Sequence, residues 1–132
     1  VTNPALAGRT IEEIHNFIGR GFVASRILSG NRITSPTGAT VLHMDDCNRI
    51  VSEPDVKEAV VAFFGHERFD IDLAEEKSPL VARTLLITRE SVNGMRIDDL
   101  AINRMDGVNI TRVFRAGMTL FPSSKLHLQV GD

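Results

Sequence analysis

Residues 8–46 read GRTIEEIHNFIGRGFVASRILSGNRITSPTGATVLHMDD, and they decide the fold because residues 94–132, GMRIDDLAINRMDGVNITRVFRAGMTLFPSSKLHLQVGD, repeat their pattern without a gap. Conservative pairs such as Ile14/Leu100 and Ile27/Val113 keep the apolar positions of the two stretches in phase. Seven aligned pairs are identical: Gly8/Gly94, Ile11/Ile97, Gly21/Gly107, Arg26/Arg112, Pro36/Pro122, Leu42/Leu128 and Asp46/Asp132. A repeat of this kind predicts two copies of one structural unit.

Each copy is predicted to open with a short amphipathic helix. In the first copy, Thr10 and Glu13 have the spacing of a capping box, which is typical of a helix N-terminus. The apolar residues that share one helical stripe are Ile11, Ile14 and Ile18 in the first copy, and Ile97, Leu100 and Ala101 in the second.

A hairpin is predicted next in each copy. FVASRILS (22–29) and GVNITRVFR (107–115) are rich in β-branched and aromatic residues, and they lead into the turns Gly30-Asn31 and Ala116-Gly117. Further strands are predicted at TVLHM (40–44), KLHLQV (125–130), CNRIVS (47–52) and ARTLLIT (82–88), and a helix is predicted over 54–64.

The repeat and the element pattern divide the chain into three parts. Residues 1–66 are predicted to form the first domain, 67–80 a charged connector, and 81–132 a second domain that is cut at its C-terminal end. Because the second copy stops before its counterparts of CNRIVS and the following helix, we expect the chain to be part of a longer polypeptide.

The composition argues against several classes of protein. A formal net charge of −2 over 132 residues gives no cationic field for nucleic acid, and no Trp or Tyr is available for base stacking. Cys47 is the single cysteine, so no internal disulfide forms. No apolar run approaches the roughly 18 residues that span a bilayer.

Catalytic and metal chemistry are not expected. The four histidines, His15, His43, His66 and His127, have no metal-ligand spacing. Cys47 follows two aspartates, and neighbouring negative charge disfavours a reactive thiolate. We therefore expect a non-enzyme without a cofactor or a metal.

Arg26 and Arg112 are the most informative polar pair. Strict strand alternation sets Arg26 in a row with Phe22, Ala24 and Leu28, and Arg112 in the equivalent row of the second copy. A cation among apolar neighbours has two explanations that the sequence leaves open. One is a structural ion pair, with Asp46 and Asp132 as the partners, and the other is an anion-binding pocket where the two copies meet.

The ordered motifs of the repeat resemble the C-terminal domain of RCK proteins, the regulators of potassium conductance, which is also called TrkA-C. The motifs are the helix opening G-x-x-I-x-[ED]-[IL], the GVNITRVFRAG hairpin, the proline turn and the closing Gly-Asp. The openings NPALAGRTI and VNGMRIDDL are also similar to the soluble insert of the aspartate:alanine exchanger family of bacterial transporters. Asp45-Asp46 departs from the Gly-Asp of that pattern.

The resemblance implies a fold, a location and partners. It implies an α+β fold of two tandem TrkA-C-like domains, each a small, mostly antiparallel sheet with flanking helices, that pack as a pseudo-dimer. The implied location is the cytoplasmic side of the bacterial inner membrane, joined to transmembrane domains of the same polypeptide. The implied partners are a further copy in a homo-oligomer and a small anionic ligand or nucleotide.

The same resemblance implies which residues bind the ligand, because some relatives bind a small anion at this hairpin. By position, the candidates are Arg26 and Arg32 in the first copy, and Val108, Asn109, Ile110, Arg112 and Arg115 in the second. The expected function is a ligand-sensing regulatory part of a transporter of ions, amino acids or dicarboxylates. The alternatives are a module that only oligomerises the transporter and, less favoured, a small enzyme.

Overall fold

The computed structural model describes residues 1–19, 21–71, 73, 80–100 and 107–132. The chain divides into two compact units, Val1–Leu80 (unit 1) and Val81–Asp132 (unit 2). Each unit has a cluster of buried apolar residues of its own.

Unit 1 begins with a 3-10 turn, Pro4–Leu6, and helix α1, Ile11–Ile18. The predicted capping box starts this helix. The Glu13 backbone N–H donates to the Thr10 hydroxyl at 3.2 Å, and the Thr10 N–H donates to the Glu13 carboxylate at 2.8 Å. This arrangement satisfies two backbone donors at the helix N-terminus and buries Ile11 and Ile14.

An antiparallel sheet follows in unit 1. Its strands are β1, Phe22–Ser29, β2, Arg32–Thr34, and β3, Cys47–Ser52, in the order β2-β1-β3. A 3-10 turn, Pro54–Val56, then leads into helix α2, Lys57–Phe64. These elements bury one core, made of Leu6, Ile11, Ile14, Phe22, Ala24, Ile27, Leu42, Val60 and Phe64.

A bulge interrupts β1 and changes which side chains face the core. Its pairing with β3 shifts between Ala24 and Arg26, so that Ser25 is the extra residue. Phe22, Ala24 and Ile27 are therefore all buried, although strict alternation would place Ile27 on the opposite face. The predicted row of Arg26 with Phe22 and Ala24 is wrong, because the bulge turns Arg26 to the other face.

Unit 2 has a shorter set of elements. Two 3-10 turns, Glu90–Val92 and Ile97–Asp99, precede strand β4, Val113–Arg115, and strand β5, Met118–Leu120. The two strands form the predicted antiparallel hairpin. The buried cluster is Ile97, Leu100, Val113 and Leu128. Only one 3-10 turn of the predicted helix forms as far as Leu100, which is extended, and Ala101 lies outside the described residues.

Backbone hydrogen bonds repeat between the units at the offset of the sequence repeat. The turns Pro4–Leu6 and Glu90–Val92 are equivalent, and so are the isolated bridges Thr10–Val41 and Arg96–His127. Matched bonds are Gly8 N–H to Leu42 O (2.8 Å) with Gly94 N–H to Leu128 O (2.7 Å), and Ile11 N–H to Thr40 O (3.0 Å) with Ile97 N–H to Leu126 O (3.0 Å). The sequence repeat is therefore also a repeat of local backbone geometry.

Three predicted strands are wrong. TVLHM and KLHLQV each make one isolated bridge instead of a ladder, because tight turns at 37–40, 43–46, 123–126 and 129–132 flank those bridges. Residues 82–88 have high strand propensity, yet they pair with no strand of the described chain. Propensity alone does not make a strand of this stretch, whose described backbone–backbone hydrogen bonds are those of Ile87 with Gly131 and Asp132.

Candidate functional site

The site lies on the face of the unit 1 sheet that points away from the core, which we call the outer face. Register and burial assign its residues, since directly paired residues share a face and Phe22, Ala24 and Ile27 occupy the core side. All members of the outer face are half-buried: Val23, Arg26, Leu28, Ile33, Cys47, Arg49 and Val51.

Two arginines lie directly opposite each other on the outer face. Arg26 of β1 and Arg49 of β3 are paired in the ladder, with Val23 and Val51 on one side and Leu28 and Cys47 on the other. Directly opposed side chains in an antiparallel pair lie about 5 Å apart at Cβ, and like charges in such a pair repel. The outer face therefore concentrates positive charge among apolar neighbours.

Residues that follow α2 approach the same face. The Arg26 guanidinium Nη1 donates to the Leu73 carbonyl at 2.8 Å, and the Leu73 side chain is buried. Arg68 and Asp70 form an ion pair in the same stretch. The pKa of Arg68 is raised, chiefly by its hydrogen bond to Asp70.

The opposed arginines suit a bound anion. A guanidinium donates two parallel hydrogen bonds to a carboxylate or a phosphate, and it stays charged at every physiological pH. The Arg49 side chain makes no hydrogen bond or ion pair with any described residue. An anion between Arg26 and Arg49 would offset their repulsion.

Arg49 was missed by the sequence analysis, although a signal for it was present. In CNRIVS, Arg49 alternates with Cys47 and Val51, as Arg26 does with Leu28. Comparing the alternation of two strands that pair would have placed both cations on one face. That step needs the pairing of β1 with β3 and the bulge at Ser25, which the sequence does not display.

The other candidate of unit 1, Arg32, lies at the end of the hairpin. It is exposed and pairs with Ser29, one position beyond the outer-face pair Leu28–Ile33. Alternation therefore sets Arg32 on the opposite side of the sheet from Arg26 and Arg49. The structure brings Arg26 together with Arg49 and not with Arg32.

The candidates of unit 2 lie along one segment without regular structure until β4. Val108, Asn109 and Ile110 are half-buried, and Ile110 packs against the unit 2 core. Arg112 is exposed and makes no ion pair with any described residue. Its predicted partnership with Asp132 is wrong, because another arginine binds that carboxylate.

Arg115 is that arginine. Its Nε donates to Asp132 Oδ1 at 2.8 Å, and its Nη2 donates to Asp132 Oδ2 at 2.6 Å and to the His127 carbonyl at 2.9 Å. The hydrogen bond from Arg115 is the main cause that lowers the pKa of Asp132. Arg115 is thus held by a buried carboxylate, an arrangement that stabilises the fold.

Asp46, the repeat equivalent of Asp132, is also buried. Its Oδ2 accepts from the His43 backbone N–H at 2.8 Å, as Asp132 Oδ2 accepts from Gln129 at 2.9 Å. Serine replaces arginine at the equivalent of Arg115, since position 29 is Ser29. Across the described residues, no group of three or more His, Cys, Asp or Glu side chains is arranged to hold a metal ion.

The proteins of similar sequence that comparison finds are named as transporters or transport proteins. The chain is 38% identical over 132 residues to an uncharacterized transporter of Bacteroides thetaiotaomicron, and 38% identical over 138 residues to one of Porphyromonas gingivalis. It is 33% identical over 132 residues to a putative transport protein of Histophilus somni. Each alignment covers 100% of this chain and 24 to 25% of the relative.

The chain therefore spans about a quarter of the length of the curated relatives it matches. No family model matches it, and no solved structure does. No helix among the described residues is long and apolar enough to cross a bilayer. Along its whole length, the chain is similar to one segment of bacterial proteins that are named as transporters.

Proposed function

We propose that this chain is a regulatory segment of a bacterial membrane transporter and that it senses an anion at Arg26 and Arg49. The observation that carries the proposal is the direct opposition of these two guanidinium groups on the half-buried outer face. The transporter assignment is supported by the relatives, which are named as transporters and match this chain over a quarter of their length.

The physical basis of sensing is differential affinity. A ligand shifts a conformational equilibrium only by the difference in its binding free energy between the two states. Arg26 donates to the Leu73 carbonyl, which belongs to the stretch of unit 1 that follows α2, so a ligand that engages Arg26 would also act on that stretch. Anion binding would thereby bias the connector and, through it, the attached transport machinery.

The proposal includes four more specific statements. The chain forms a TrkA-C-like pseudo-dimer, lies on the cytoplasmic side of the membrane, assembles into a homo-oligomer and has no enzymatic activity. The ligand class is an anion with carboxylate or phosphate oxygens, such as a nucleotide, a cyclic dinucleotide or an acidic amino acid. The transported solute would be an ion, an amino acid or a dicarboxylate.

A purely structural role is the second candidate, and one observation favours it. Arg115, which the resemblance placed in the ligand site, is bound by the buried carboxylate of Asp132. If the other arginines of the repeat also served only in structural ion pairs, the segment would have only a structural role in the transporter. Arg49, with no side-chain partner among the described residues, is the residue that separates the two candidates.

The test is thermal unfolding of the chain with a panel of nucleotides, cyclic dinucleotides, dicarboxylates and amino acids. A ligand at about 100 times its Kd stabilises the native state by about 2.7 kcal/mol. We expect such a shift for at least one anion, and its loss in Arg26→Gln and Arg49→Gln. Arg89→Gln is the matched control, because Arg89 is an exposed arginine of unit 2.

Two results would reject the sensing role. One is the absence of a shift with every anion of the panel. The other is a shift that persists equally in Arg26→Gln, Arg49→Gln and Arg89→Gln. Either would leave the structural role as the better account.

A further inference from the structure

Leu73 is a buried leucine that belongs to neither core. Its side chain is 4% exposed, but neither buried cluster of the described residues includes it. The Arg26 Nη1 donates to its carbonyl at 2.8 Å, and Arg26 is on the outer face, so the Leu73 backbone lies over that face. The stretch after α2 therefore places a leucine at one of the two arginines of the candidate site.

The outer face offers an apolar surface for this leucine. Val23, Leu28 and Val51 are half-buried and also stand outside the unit 1 core. They flank the pair of Arg26 and Arg49 in the ladder. A leucine side chain that lies on them is removed from water together with them, which is favourable.

The Leu73 carbonyl binds Arg26 in the way that an oxygen of a ligand would. Its distance of 2.8 Å from Nη1 is ordinary for a hydrogen bond from a guanidinium to an oxygen. An anion oxygen cannot accept the same N–H in that place, and the partial negative charge of the carbonyl repels an anion beside it. An anion interacts with a guanidinium more strongly than a neutral carbonyl does. The carbonyl and the anion therefore compete for Arg26.

The stretch after α2 can leave the outer face without unfolding unit 1. Two ion pairs involve this stretch, Lys57–Glu67 at 3.5 Å and Arg68–Asp70, and all four side chains are exposed. Exposed ion pairs contribute little to stability. Because Leu73 is outside the core, its release leaves the packing of the unit 1 core in place.

We infer that Leu73 is an internal competitor of the anion: docked on the outer face it blocks Arg26, and an anion that binds Arg26 releases it. This regulation rests on the anion site proposed above. A ligand that binds only the released state has an apparent Kd equal to its intrinsic Kd divided by the released fraction. With about one molecule in ten released, the apparent Kd is about ten times the intrinsic Kd.

The experiment measures the Kd of inorganic phosphate and of succinate for the 132-residue chain and its variants. Leu73→Ala removes most of the docked side chain, and Leu73→Met keeps an apolar side chain of similar volume. Phe69→Ala is the matched control, because Phe69 is 87% exposed in the same stretch. We expect Leu73→Ala to bind about tenfold more tightly than the natural chain, and the other two variants to bind as the natural chain does. Adding Arg26→Gln to Leu73→Ala should abolish the gain.

The outcomes separate the competitor from the anion site. Tighter binding by Leu73→Ala supports the inference, and so does binding that is detected only in Leu73→Ala. Unchanged or weaker binding by Leu73→Ala, when the natural chain binds, overturns the competition and leaves the anion site in place. If neither the natural chain nor any variant binds, the anion site and the competitor both fail.

The docking of Leu73 is also tested without an anion, by NMR. We expect NOEs between the methyl groups of Leu73 and those of Val23, Leu28 or Val51, and we expect them to weaken as phosphate or succinate saturates the site. If these NOEs are absent from the ligand-free chain, or persist at saturation, the inference is overturned whatever the measured Kd.

Discussion

Arg115 and Asp132 form a two-point ion pair in unit 2, with Nε to Oδ1 at 2.8 Å and Nη2 to Oδ2 at 2.6 Å. The carboxylate is 3% exposed and the arginine 26% exposed, so the pair lies at the boundary of the unit 2 core. It joins the end of the β4 strand to the turn at 129–132. In unit 1, Ser29 occupies the position of Arg115.

Replacing Arg115 should destabilise unit 2. Arg115→Gln leaves the buried Asp132 carboxylate without its cation, and an unpaired buried charge is strongly unfavourable. We expect a fall of several degrees in the Tm and faster amide exchange at Gln129, whose N–H donates to Asp132. An unchanged Tm in Arg115→Gln would show that the pair has no structural role. A complementary variant is Ser29→Arg, which places an arginine at the equivalent position of unit 1.

The same pair predicts a dependence of stability on pH. Arg115 lowers the pKa of Asp132 in the folded state, so the ionised form is favoured there relative to the unfolded chain, where the pKa is about 3.9. The stabilisation is present above about pH 4 and is lost as the pH falls through the folded pKa. In thermal unfolding between about pH 2 and pH 7, the Tm of the natural chain should fall more steeply with decreasing pH than the Tm of Asp132→Asn. Parallel curves of Tm against pH would contradict this.

Equivalent leucines should contribute equally to the two cores. Leu42 and Leu128 are identical in the repeat and are 0% and 4% exposed. Leu42→Ala and Leu128→Ala should each cost about 2 to 5 kcal/mol of the free energy of unfolding, because each leaves a cavity.

Met44 and Val130 provide the matched control for the leucines. They are also repeat equivalents, and they are 42% and 43% exposed. Met44→Ala and Val130→Ala should change the free energy of unfolding by about 0.5 kcal/mol or less in denaturant titration. A leucine variant that lowers the free energy of unfolding no more than these controls do would show that its unit lacks the described core.

The hairpin turns give a prediction about backbone strain. Ala116 has φ of 48°, and its repeat equivalent Gly30 has φ of 60°. A residue with a Cβ pays about 1 to 2 kcal/mol in this conformation, and glycine does not. Ala116→Gly should therefore stabilise unit 2 by about 1 kcal/mol, and Gly30→Ala should destabilise unit 1 by a similar amount in thermal unfolding. If both substitutions stabilised the protein, or both destabilised it, the assignment of these turns would be contradicted.

The sequence predicted the elements whose signals are local. The capping box of Thr10 and Glu13 starts α1, the glycine turn at Gly30-Asn31 joins β1 to β2, and Ala116-Gly117 joins β4 to β5. Each depends on residues that are a few positions apart and on backbone preferences that they set themselves. Such features can be predicted without knowledge of the tertiary fold.

Features that depend on a distant partner were not predictable in this way. Residues 82–88 and 108–112 have strand-like sequences but no strand partner among the described residues. The bulge at Ser25 reverses the face of Arg26, and only the pairing with β3 reveals it. For the same reason the sequence placed Arg26 in the wrong row and omitted Arg49 from the candidate site.

The most direct test of the central claim is an NMR titration that follows the arginine side-chain Nε–H resonances with the anion that stabilises the chain most. We expect the Arg26 and Arg49 resonances to shift together along one saturation curve, because one anion engages both guanidinium groups. Shifts confined to exposed arginines such as Arg32 and Arg112, or scattered shifts without saturation, would contradict the claim.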